Sequence, residues 1–70
     1  MENIHIISEK KTLLEALKQI NSIAPEPLVL FVLDDQQRMV GTLTDGDSRR
    51  ALVAGASVSD TIDTVMLHNF

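Results

Sequence analysis

The residues with most chemical potential stand together: Gly41-Thr42-Leu43-Thr44-Asp45-Gly46-Asp47-Ser48-Arg49-Arg50. A helix opening at Thr44 would present free backbone N–H groups and favour an anion. The Thr44 hydroxyl could donate to a phosphate. Asp47, one turn in, could accept from the two hydroxyls of a ribose, as an acid does in dinucleotide folds. The same Thr-x-x-Asp spacing is also close to a capping box, which starts helices with no ligand at all. Asp45 and Asp47 have the paired form of carboxylates that hold a divalent cation. Two acids in a first turn are, however, stabilising against the helix dipole by themselves, and the next acids, Asp34 and Asp35, fall at the far end of the preceding hairpin, so no metal site is expected. His5 and His68 lie near the ends with no motif around them. Neither G-x-S-x-G nor G-x-x-x-x-G-K-[ST] occurs, and catalysis by this chain is not expected.

The surrounding pattern supplies the elements that must position this stretch. Ile4–Ile7 is a β-branched run that reads as a strand. Thr12-Leu13-Leu14-Glu15 has the form of a capping box. Leu13, Leu17, Ile20 and Ala24 then recur at i, i+4, i+7 and i+11, widened by Leu14, Ala16 and Ile23. This predicts an amphipathic helix that ends before Pro25. Pro25-Glu26-Pro27 is a stiff connector. Leu28–Leu33, apolar at every position, predicts a strand covered on both faces. A polar turn at Asp34–Gln37 leads to a strand over Met39–Thr44, making an antiparallel hairpin. Gly41 within it has no side chain to pack and marks a place where something approaches the backbone. Thr44 caps the second helix, which Gly55 ends as a C′ residue. Ser57–Met66 holds one more short helical turn. The order is strand, helix, strand, strand, helix, tail: an α+β fold with a small sheet and two helices on one face.

Composition narrows the function. The chain has 70 residues, no Cys, and ten acids against six bases, for a net charge of −4. The excess lies beyond Ala24, where seven acids face Arg38, Arg49 and Arg50. An acidic chain with two aromatics, Phe31 and Phe70, has neither the basic surface nor the stacking platform of a nucleic-acid binder. The longest apolar run is the six residues of Leu28–Leu33, too short for a membrane span, and the start lacks the form of a signal peptide. A cytoplasmic location is the expectation. Domains this small have marginal cores, and without disulfides or thiolate metal sites, association with another chain is the expected support.

The stretch and the element order together resemble a cystathionine-β-synthase (CBS) motif. Gly41, Thr42, Thr44 and Asp47 fall on the family's G-h-x-T-x-x-D signature, and the resemblance extends from Ile6 through Val65-Met66. The longer Gly-Thr-Leu-Thr-Asp-Gly-Asp-x-Arg-Arg, with Ala51, Leu52 and Gly55, is similar to the first CBS motif of regulatory modules fused to sugar-nucleotide pyrophosphorylases (nucleotidyltransferases). It is also similar to those of sugar-phosphate isomerases of the arabinose 5-phosphate type. Ser48 departs from the Ile or Leu usual in that longer signature. The resemblance implies a single CBS motif over residues 1–66, with 67–70 a tail or the start of a second motif. It implies a regulatory, non-catalytic module that binds an adenosine nucleotide (AMP, ADP or ATP) between paired motifs and requires no cofactor. Thr44 would contact phosphate or ribose and Asp47 the ribose hydroxyls. Gly41 would let the ligand lie against the strand beside Thr42, with Arg49 and Arg50 as phosphate partners. With one motif only, the expectation is a homodimer, with a catalytic domain in the parent protein. The alternative is a structural dimerisation module in which Thr44 and Asp47 only cap the helix.

Overall fold

The computed structural model describes residues 5–23 and 28–68. Their order is β1 (Ile6–Ser8), α1 (Leu13–Ile23), β2 (Val29–Leu33), β3 (Met39–Thr44), α2 (Asp45–Val53) and a 3₁₀ turn at Ile62–Thr64. This is the expected β-α-β-β-α order. The first strand runs later than expected, from Ile6 to Ser8, and Ile4 lies outside the described residues, as do Ala24 and the Pro25-Glu26-Pro27 connector.

The sheet has the order β1-β2-β3. β1 runs parallel to β2, pairing Ile6 with Phe31 and Ser8 with Leu33. β2 and β3 form the antiparallel hairpin, pairing Val29 with Thr44 and Val32 with Gly41, with an irregularity after Val32 that leaves Val40 as an extra residue. In the turn, the Asp34 carboxylate accepts from the N–H groups of Gln36 (2.8 Å) and Arg38 (3.0 Å), and Gln37 adopts φ +64°.

Alternation decides which side of the sheet is covered. Ile7, Leu30, Val32 and Leu43 are buried and meet Leu13, Ala16, Ile20 and Ile23 of α1. Leu52 of α2 packs on the edge of the same cluster. On the opposite face, Ile6, Phe31 and Met39 keep more than a third of their surface exposed. The uninterrupted apolar run of β2 is therefore covered on one face only, correcting the expectation of two. Both helices lie on one side, and among the described residues no helix covers the other.

Both helix starts are capped as their sequences suggest. Thr12 N–H donates to the Glu15 carboxylate (2.9 Å) and Glu15 N–H to Thr12 Oγ1 (3.2 Å). The end of α2 is a Schellman arrangement, with Gly55 N–H donating to the Leu52 carbonyl and Ala56 N–H to that of Ala51, at Gly55 φ +110°.

Residues after α2 close the core through the 3₁₀ turn and the segment that follows it. Leu13 N–H donates to the Asp60 carbonyl (2.8 Å), and Ile62 N–H to that of Lys11 (2.8 Å). Ile62 is fully buried and Met66 nearly so. Leu67 then pairs with Thr42 on the outer edge of β3, through reciprocal N–H···O=C bonds of 2.9 Å. This return explains Gly41, because a Cβ there would stand 2.6 Å from the Leu67 carbonyl oxygen and 2.8 Å from Met66 Sδ.

Gly41→Ala should therefore lower stability by about 1–3 kcal/mol, the usual cost of overpacking. In a domain this size that is a fall of roughly 4–8 °C in melting temperature per kcal/mol. Faster hydrogen exchange at the Thr42 and Leu67 amides should accompany it. Val53→Ala, at a residue 90% exposed on α2, should not lower the midpoint.

Candidate functional site

The junction from β3 to α2 assembles most of the residues singled out from sequence. Thr44 ends the strand in extended conformation (φ −105°, ψ 168°) and becomes the N-cap of the helix without an intervening loop. Its Oγ1 accepts from Asp47 N–H at 3.0 Å, while Asp47 Oδ2 accepts from Thr44 N–H at 3.2 Å, completing a capping box. Asp45 N–H donates to the Leu28 carbonyl (3.2 Å), tying the helix start to the chain entering β2.

Ser48 has no exposed surface, and its hydroxyl donates to the Thr44 carbonyl at 3.0 Å. A small polar residue thus fills the place where the longer signature has Ile or Leu, and it is satisfied by bonding back one turn. The departure from Ile or Leu implied that packing at the helix start is missing or replaced, and the buried, internally bonded Ser48 is that replacement.

Asp47 is the buried carboxylate of the site, with 8% of its side chain exposed. Its second oxygen, Oδ1, accepts from Arg50 Nη2 at 2.5 Å. Burial pushes the Asp47 carboxyl upward, but hydrogen bonds with the Thr44 side chain, Arg50 and the Thr44 backbone outweigh it and hold it below the ordinary value. Asp45 turns instead to Arg49, pairing at 2.8 Å. The two acids thus serve different cations, and Arg49 and Arg50 occupy separate ion pairs.

Thr42 and Thr44 share the open face of the sheet, two residues apart along β3, with Phe31 opposite Thr42. Gly41 faces the other way. The close approach it permits is made by Met66 and Leu67 of the chain itself. The structure therefore brings Thr42, Thr44, Asp47 and Arg50 to one junction, places Arg49 beside it, and sets Gly41 against the C-terminal segment.

A shallow cleft of about 330 Å³ lies elsewhere, between β1, Gln19 of α1 and the β2–β3 turn. It is at the opposite end of β2 from Leu28 and the start of α2, and contains none of the motif residues. Its acids are already engaged, Asp35 with Lys10 at 2.6 Å and Asp34 with Arg38 at 3.1 Å. The concavity and the motif chemistry do not coincide, and the motif is the better candidate.

No protein-family profile and no curated protein sequence matches the chain. Its fold does match solved structures. A CBS-domain-containing protein of Agrobacterium tumefaciens superposes with a TM-score of 0.81 at 17% identity, over 96% of this chain and 50% of that one. The CBS domains of a transcriptional regulator from Streptococcus pneumoniae give 0.70 at 25% identity, over 93% and 48%. The fold is that of a single CBS motif. An uncharacterised conserved protein from Pyrococcus horikoshii matches the same arrangement with a TM-score of 0.79 at 23% identity, over 93% of this chain and 48% of that one. This CBS-type chain spans about half the length of each of these structures. Among the described residues, no helix is long and apolar enough to cross a membrane.

The lowered carboxyl of Asp47 gives a signed pH dependence. Because the folded state holds its proton less tightly than the unfolded state, its contribution is complete above the unfolded carboxylate range. It is lost as pH falls through the lower folded value. Acid unfolding of the wild type should steepen below about pH 4, the ordinary carboxylate range, and Asp47→Asn should flatten that limb. At neutral pH, Thr44→Ala should cost about 1 kcal/mol, as for other N-cap removals. Circular dichroism melts across pH check both.

Proposed function

We propose that the chain is a regulatory, non-catalytic module that binds an adenosine nucleotide (AMP, ADP or ATP) between two paired copies of this motif. The observation that carries the reading is the placement of Thr44, Asp47 and Arg50 at one helix start, on a fold shared with CBS domains. The S. pneumoniae neighbour consists of the CBS domains of a transcriptional regulator, so this fold serves regulatory proteins. In this reading Thr44 contacts phosphate or ribose, Asp47 accepts from the ribose hydroxyls, and the helix start favours the anion. Thr42 lies beside the sugar, and the cations of Arg49 and Arg50 face the phosphate.

The pairing proposal draws on the uncovered sheet face. Ile6, Phe31 and Met39 leave an apolar surface that a second copy would cover about a twofold axis. Ligand held between two copies would favour one arrangement of the dimer through its differential affinity. A catalytic domain, of the sugar nucleotidyltransferase type by resemblance, would sense that arrangement in the cytoplasm. The second reading is a dimerisation module without ligand, favoured by the complete capping box that Thr44 and Asp47 form unaided.

Thermal unfolding against AMP, ADP, ATP and S-adenosylmethionine separates the two. A ligand at 100 times its dissociation constant adds about 2.7 kcal/mol, or roughly 4–8 °C per kcal/mol in a domain this small. The nucleotide reading expects a shift of that order with one nucleotide, absent from Asp47→Ala. Equal destabilisation of Asp47→Ala with and without every nucleotide would leave the capping role alone.

A further inference from the structure

The cleft between β1, Gln19 and the β2–β3 turn carries chemistry that the motif does not use. It lies at the carboxyl ends of the parallel strands β1 and β2, where Ser8 and Leu33 pair. Open α/β sheets bind ligands at that end of their strands. A volume of about 330 Å³ is at the small end of ordinary ligand sites.

The free edge of β1 is one-sided in its hydrogen bonding. Phe31 N–H donates to the His5 carbonyl and Glu9 N–H to that of Leu33, so positions 5, 7 and 9 face β2. Ile6 and Ser8 therefore turn their backbone groups outward. Both outward carbonyls are taken, that of Ile6 by Gln19 Nε2 at 2.9 Å and that of Ser8 by Lys11 N–H at 3.1 Å. Among the described residues the Ile6 and Ser8 N–H groups meet no acceptor. A further strand would need acceptors as well as donors. This edge suits a group that only accepts.

The charges lining the cleft leave one cation over. Asp35 is paired with Lys10 at 2.6 Å and Asp34 with Arg38 at 3.1 Å. Lys11 lines the cleft and forms no ion pair among the described residues. Its backbone is fixed at both ends, by Ser8 and by Ile62 N–H at 2.8 Å, which anchors the side chain beside Ser8. Ser8 Oγ accepts from Lys10 N–H at 3.2 Å and keeps its own proton to donate. Ile6, Ile7 and Leu33 supply the apolar lining.

We propose that this cleft is a second ligand site, which takes a small organic monocarboxylate with a short apolar body. The carboxylate meets the Lys11 ammonium and the N–H and hydroxyl of Ser8, and the body lies against Ile6 and Leu33. One excess positive charge matches a monoanion. A phosphate dianion would set a second negative charge against Asp34 and Asp35. The cleft shares no residue with the junction at Thr44 and Asp47, so the proposal stands apart from the nucleotide reading.

Amide chemical-shift titration of the chain with isovalerate tests it, with isovaleramide and inorganic phosphate for comparison. Saturable shifts should centre on the Ser8 and Lys11 amides and leave those of Asp45 and Asp47 in place. Isovaleramide and phosphate should each bind at least about tenfold more weakly than isovalerate. Lys11→Gln keeps both backbone bonds, and circular dichroism melts should show it folded. It should weaken isovalerate at least about tenfold and isovaleramide not at all. Absence of a saturable shift at Ser8 overturns the proposal, as does full-strength binding of isovalerate to Lys11→Gln. Phosphate binding as tightly as isovalerate would reveal general anion attraction and overturns it too.

Discussion

Thr44 is the residue through which strand and helix directions are fixed. It is at once the last residue of β3 and the N-cap of α2, so no loop intervenes to absorb a change in angle between them. Its hydroxyl, its N–H and its carbonyl each have a partner within the next turn, in Asp47 and Ser48. α2 buries little apolar surface, its fully or nearly buried residues being Asp47 and Ser48. Its attachment is therefore chiefly polar, and concentrated at the end where the candidate ligand groups lie. A site built on such a junction is preorganised by the same bonds that hold the helix in place.

Much of this was legible in the sequence, because it is local. The spacing of Leu13, Ile20 and Ile23 located α1, Thr12 with Glu15 and Thr44 with Asp47 located both helix starts, and Gly55 located the end of α2. These signals need neighbours only three or four residues away. The contacts that escaped are long-range. The sequence marks Gly41 as a place of close approach but cannot say that Met66 and Leu67 make it, since they are some 25 residues on and carry no periodicity. Ser48 stood out as a departure at a packing position, but its bond back to the Thr44 carbonyl, which satisfies it there, was not foreseen. The unbroken apolarity of β2 spoke for two covered faces, and this chain covers one. The pairing of Arg50 with Asp47, by contrast, follows from i,i+3 spacing on a helix.

The exposed sheet face marks where the core lacks cover. Among the described residues, the core holds ten buried apolar residues, gathered on one side of three strands. A sheet with one bare apolar face is an incomplete layer arrangement. The segment from Ile62 to Leu67 relieves this only at the β3 edge, where Leu67 takes up the backbone groups of Thr42 that an edge strand otherwise exposes.

That return also changes what the glycine of the signature records. Position 41 is held small by the chain's own tail, with Leu67 and Met66 occupying the volume any side chain would need. Selection for stability alone would keep it, in descendants that bind a ligand and in those that have lost one. The glycine of the signature is thus accounted for by the packing of the scaffold, with no ligand needed to explain it.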